Sequence, residues 1–151
     1  MKKIFFILIL FLTSCGYTPL YENKVSNNYI FSQIETFGIK EINRRIISML
    51  SFKKDPKNFN FTTLILKNNK NIIETSKDSK GKAESYKMII EISIIIKKND
   101  NIFKQITLSE EFSYKNLDNK FDLSQYEKNI ENNILDKISE KIIIYLNLKW
   151  L

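Results

Sequence analysis

Histidine is missing from this 151-residue chain, and cysteine occurs once, at Cys15. Without histidine, a Ser-His-Asp triad, a Cys-His pair and a histidine-bearing metal site are all impossible. With one thiol, no disulfide can close within the chain. Glycine occurs only at Gly16, Gly38 and Gly81, too sparsely for a glycine-rich phosphate loop. Carboxylate pairs such as Glu110-Glu111 remain. In a strand, however, neighbours point to opposite faces, so that pair does not share a site for acid-base work. No motif marks a Ser-Lys pair or a cofactor. The expectation is a protein that is not an enzyme and takes no cofactor.

Long apolar runs are also lacking. The run over residues 4–12 is short, whereas a bilayer-spanning helix needs about 20 residues. Its setting gives it another meaning. Lys2 and Lys3 precede it, and Leu12-Thr13-Ser14-Cys15 follows. A basic start, a short apolar run and small residues before a cut are the parts of a secretory signal. Ser14-Cys15 resembles the lipobox of bacterial lipoproteins, in which the cysteine sulfur receives a diacylglycerol, the chain is cut before the cysteine and the new amine is acylated. The division expected is a signal peptide over 1–14, a lipidated N-terminus and linker over 15–28, and one domain over 29–151. Burying an acyl chain is worth about 0.8 kcal/mol per methylene, and two chains make anchoring stable. Such a chain stays on a membrane surface by its first mature residue, Cys15. The mature length, 151 − 14 = 137 residues, suits one domain with one core.

The formal net charge is +7, and removal of Lys2 and Lys3 lowers it to +5. A basic surface favours anionic partners; export argues for phosphate-bearing lipids over nucleic acid. The excess is diluted by a skewed composition, in which Ala83 is the only alanine, Val25 the only valine, and isoleucine, lysine and asparagine abound.

Within the mature chain, residues 29–36 have strand character and Gly38 breaks it. Over 39–51, Ile39, Ile42, Ile46, Met49 and Leu50 recur at helical steps; Glu41, Asn43, Arg44 and Arg45 fall elsewhere and are expected in solvent, and Asp55-Pro56 ends the segment. Residues 59–67 alternate as a strand, with a bulge, kink or turn over 67–71 before it resumes at 72–75. Asp78-Ser79-Lys80-Gly81 makes a turn. The clearest strand covers 82–98, with Tyr86, Met88, Ile90, Ile92, Ile94 and Ile96 on one face. After Asn99-Asp100-Asn101 the chain returns over 102–115. There Ile106, Leu108, Phe112 and Tyr114 share a face opposite Gln105, Thr107, Ser109, Glu111, Ser113 and Lys115. A final helix covers 123–148, with Ser124 and Glu127 at capping-box spacing. Its stripe is Tyr126, Ile130, Ile134, Ile138, Ile142 and Leu146.

Strand, helix, three strands, helix gives an α+β two-layer sandwich: a four-stranded mixed sheet with two helices packed on one face. The first helix carries the chain back over the sheet, making the first two strands parallel neighbours; the rest fold as hairpins with one wet face.

The stretch Cys15-Gly16-Tyr17-Thr18-Pro19-Leu20-Tyr21 resembles the Cys-Gly-aromatic-x-Pro-Leu-Tyr opening of the lipopolysaccharide-assembly lipoproteins, the LptE family, especially those of alphaproteobacteria. The element order is similar over nearly the whole mature chain, while the low alanine and heavy Ile/Lys/Asn content depart from typical members. The resemblance implies an outer-membrane lipoprotein facing the periplasm. Such proteins partner a large β-barrel (LptD-like), plug its lumen and assist lipopolysaccharide delivery. Gly16 after Cys15 is compatible with outer-membrane sorting. Lipopolysaccharide carries phosphates that lysine can bind, and Lys77, Lys80 and Lys82 around Gly81 form the best local cluster for them. Two other readings stay open: an accessory lipoprotein of another envelope complex, and a free lipid carrier with an internal apolar cavity.

Overall fold

The computed structural model describes residues 29–57 and 62–148. The expected signal peptide, Cys15 and the expected linker lie outside these residues. The elements run β1 (Ile30–Phe31), β2 (Gln33–Phe37), α1 (Lys40–Met49), β3 (Lys53–Lys54), β4 (Thr62–Lys77), β5 (Ala83–Lys98), β6 (Asn101–Lys115) and α2 (Lys120–Leu148). The main sheet has the order β2-β4-β5-β6, with β2 parallel to β4 and the other pairs antiparallel. Both helices pack on one face of it, as the sequence predicts. A small parallel pair, β1 with β3, extends it at the entry of the chain. The strand expected over 29–36 is thus divided between two sheets.

Alternation sets the faces. Met88, Ile90, Ile92, Ile94 and Ile96 of β5 are all buried under the helices. On α1 the buried apolar residues are Ile42 and Ile46, and on α2 they are Ile130, Ile134, Leu135, Ile138, Ile142 and Leu146. These residues form one core with Leu64 and Leu66 of β4. A fully buried aliphatic side chain contributes about 2 kcal/mol, so this layer holds the sandwich together. The opposite face is wet: Thr107 Oγ1 donates to Ser93 Oγ (3.1 Å), and Lys87 Nζ donates to Glu111 Oε1 (2.9 Å).

Four expectations are corrected. Residues 67–71 are neither bulge nor turn; β4 runs unbroken through them, and its irregularities fall between Glu74 and Ser76 and between Ser76 and Lys77. The polar run is tolerated because its side chains find partners: Lys70 Nζ meets Glu131 Oε2 at 2.7 Å, and Asn68 serves the turn before α1.

Asn43 is not in solvent but 3% exposed. Its Nδ2 donates to Phe37 O, and its Oδ1 accepts from Asn68 Nδ2 at 2.8 Å. Arg45 is half-buried, donating to Asn132 Oδ1 (2.6 Å) and Asp136 Oδ1 (3.3 Å) on α2.

The first helix stops before Asp55-Pro56. Ser51 takes φ +53°, Ser51 N donates to Ser48 O, and Phe52 N to Ile47 O. That is a Schellman closure.

The second helix begins at Lys120, capped by Asn119: Oδ1 accepts from Phe121 N at 2.9 Å. Ser124 and Glu127 do not cap it, because Glu127 Oε1 accepts from Tyr114 Oη instead.

Candidate functional site

The β4–β5 hairpin is 16 residues long on each side, which is about 50 Å of strand. Helix α1, at 10 residues, covers about 15 Å of that. The half of the sheet far from the chain entry is therefore only partly roofed, by the start of α2. Side chains that alternation assigns to the core surface there instead: Phe112 is 41% exposed, Tyr126 39% and Ile72 40%.

At this far end a recess of about 660 Å³ opens, lined by Ser85, Phe112, Tyr114, Lys115, Leu117 and Tyr126, with Ser113 completing it. Its back wall is aromatic. Tyr86 and Tyr114 lie with ring centroids 5.7 Å apart, and Tyr126 meets Tyr114 edge-on at 6.0 Å. Tyr114 is buried, and its Oη donates to Glu127 Oε1 at 2.6 Å. Burial, and then the acceptor carboxylate, hold its ionisation well above the ordinary tyrosine range. The wall thus stays neutral, and it offers flat apolar faces.

The lysine cluster sits at the tip beyond the recess. Asp78 builds the turn: its Oδ1 accepts from Lys80 N (2.8 Å) and Lys82 N (2.9 Å), and Gly81 takes φ +81°. Lys77 Nζ pairs with Glu74 Oε2 at 3.2 Å, and Lys82 Nζ with Asp118 Oδ1 at 2.7 Å. Hydrogen bonding and charge attraction from Asp118 raise the ionisation of Lys82, and Lys82 lowers that of Asp118. Lys77, Lys80 and Lys82 are brought to one turn, but Glu74, Asp78 and Asp118 accompany them. Lys67 and Lys70 lie inside β4, over the Phe37 ring and against Glu131.

The aromatic recess escaped the sequence reading, which put Phe112 and Tyr126 on covered faces; Tyr114, on the same face as Phe112, is buried as that face requires. The signal available was the mismatch between two 14–17-residue strand patterns and a first helix of about three turns.

An α+β sandwich of this order, with a long antiparallel hairpin and a long closing helix, recurs in solved structures of bacterial proteins. Solved structures with it include rare lipoprotein B from Shewanella oneidensis, at 11% identity over 76% of this chain and 93% of that one, with a TM-score of 0.58. Another is a lipoprotein from Caulobacter crescentus, at 12% identity over 76% of this chain and 88% of that one, with a TM-score of 0.53. No family model and no curated protein matches the sequence. Among the described residues, no helix is long and apolar enough to cross a membrane.

Proposed function

We propose that this chain is an outer-membrane lipoprotein of the LptE kind, of alphaproteobacterial type, held on the periplasmic side by acyl chains on Cys15. It partners a large β-barrel and assists lipopolysaccharide assembly at the cell surface, as a binding component and not an enzyme. The observation that carries the reading is the agreement of two independent features. The fold is shared with rare lipoprotein B over nearly all of that protein, and the residues around Cys15 resemble a lipobox followed by the opening of LptE proteins.

The far end supports the reading. Its aromatic wall can take apolar or sugar faces, and the lysines at the tip can take phosphates. The recess is open to solvent along its length, which suits contact with a partner or a headgroup better than carriage of a whole lipid. The polar outer face of the sheet suits a wet barrel lumen.

The test is capture of the native protein from detergent-solubilised outer membranes, with partners identified by mass, together with depletion in the cell. The expected result is one barrel protein of several hundred residues and loss of surface lipopolysaccharide. Recovery without a barrel, or a defect spread over many outer-membrane proteins, would overturn it in favour of an accessory role elsewhere in the envelope.

A further inference from the structure

The end of the molecule where the chain enters the fold has a chemistry of its own. The register of the sheet places residues 32–33, 62–63 and 97–98 together there, next to the β5–β6 turn. Helix α2 ends at the same place: Tyr29 Oη donates to Asn147 Oδ1 (3.1 Å), and Tyr145 Oη donates to Gln105 O (3.1 Å). Lys53 N donates to Tyr29 O (2.9 Å), which brings β3 there too.

This end exposes large apolar side chains: Ile102 at 60%, Phe103 at 55% and Ile144 at 57%. At the same end lie Lys53 and Lys54 of β3 and Lys97 and Lys98 of β5, with Lys57, Asp55 and Asp100 close to them in the sequence. None of the five lysines forms an ion pair with a described residue. Five lysines elsewhere, Lys70, Lys77, Lys82, Lys87 and Lys141, are each paired with a carboxylate. Exposed apolar groups and unmatched lysines at one end are the pattern of a surface that meets an anionic bilayer. Thirteen residues, 16–28, separate the lipobox cysteine from Tyr29. Fully extended they reach about 50 Å, and a lipid on Cys15 would tether the fold to the membrane through this end.

We propose that this near end docks on an anionic membrane surface. Ile102, Phe103 and Ile144 enter the headgroup layer and the lysines bind lipid phosphates, setting the hairpin to project away from the bilayer. The proposal rests on the lipid-anchor reading for its biological setting, but its chemistry can be measured without the anchor.

The experiment uses the mature chain from residue 15 carrying Cys15→Ser, co-sedimented with vesicles of phosphatidylethanolamine and phosphatidylglycerol, or of phosphatidylcholine alone. Binding is expected to the anionic vesicles only, and to be lost at high salt. A juxtamembrane lysine is worth about fivefold in binding, so Lys53→Gln, Lys54→Gln and Lys98→Gln together should weaken it about 100-fold. Phe103→Ser with Ile144→Ser should weaken it further at unchanged melting temperature. The far-end set Lys77→Gln, Lys80→Gln and Lys82→Gln should leave it intact. Equal binding to both vesicles, no binding, or equal sensitivity to the two lysine sets would overturn the docking face. A free sulfhydryl at Cys15 in the native product, found by mass spectrometry, would overturn the anchor and leave the vesicle result standing.

Discussion

Single side chains settle how β2 turns into α1. Gly38 has φ +94°, and a Cβ there would meet Asn68 O at 2.2 Å. The close approach exists because Asn68 closes the turn: its Oδ1 accepts from Ile39 N (3.0 Å), and its Nδ2 faces Phe37 O, Ile39 O and Asn43 Oδ1. Gly38→Ala adds both a disfavoured backbone conformation and an overlap with backbone, so a loss of about 3 kcal/mol is expected. Asn68→Ala leaves its partners unmet and should cost about 1–3 kcal/mol. Urea midpoints at an unchanged slope check both. Tyr114 makes a prediction in pH. Its folded ionisation is raised above the ordinary value of 10.0. Its contribution to stability is therefore full below pH 10 and is lost as pH rises towards the folded value. At neutral pH, Tyr114→Phe should cost about 1 kcal/mol for the lost hydrogen bond. Above pH 10 the gap between wild type and Tyr114→Phe should close, read as paired melting temperatures across the range.

At the scale of elements, helix α2, with six buried apolar side chains in the core, shows what a pattern can and cannot reveal. Its stripe was legible: Ile130, Ile134, Ile138, Ile142 and Leu146 are all buried as the 3.6-residue period requires. Truncating Ile138, which is 0% exposed, to alanine should cost about 2–5 kcal/mol. Its start was not legible, because Asn119 and Ser124 are both good caps and spacing alone favoured the second. The geometry favours the first, so Asn119→Ala should cost about 1 kcal/mol and Ser124→Ala almost nothing. Equal losses in thermal melting would reverse the assignment. The same limit explains the other misreadings. Asn43 looked solvated because a helical wheel knows nothing of Asn68, 25 residues away. The run over 67–71 looked like a break because β propensity is a statement about neighbours, and Lys70 has its neighbour, Glu131, on α2. Period gave faces and order; partners across the fold, and the lengths over which layers overlap, lie outside it. The recess is such an overlap effect, and so Phe112 and Tyr126 were assigned to the right side of the sheet but the wrong environment.

The whole molecule is a lever with two different ends, about 50 Å apart along the hairpin. One end is apolar with unmatched lysines and receives the chain from Cys15; the other is aromatic, with Lys77 and Lys82 paired to carboxylates. Because a filled core separates them, they should fail independently. Substitutions at exposed positions in the recess, Phe112→Ser with Leu117→Ser, remove side chains that are 41% and 39% exposed. They should therefore lower the melting temperature little. If the far end meets the barrel, those substitutions should reduce its recovery in pull-downs while vesicle binding stays at the wild-type level. The near-end set Lys53→Gln, Lys54→Gln and Lys98→Gln should do the opposite, sparing barrel capture in detergent, where no bilayer remains to be bound. Loss of both properties from either set of substitutions would mean that the two ends are coupled through the fold, and would contradict the rigid sheet on which the separation depends.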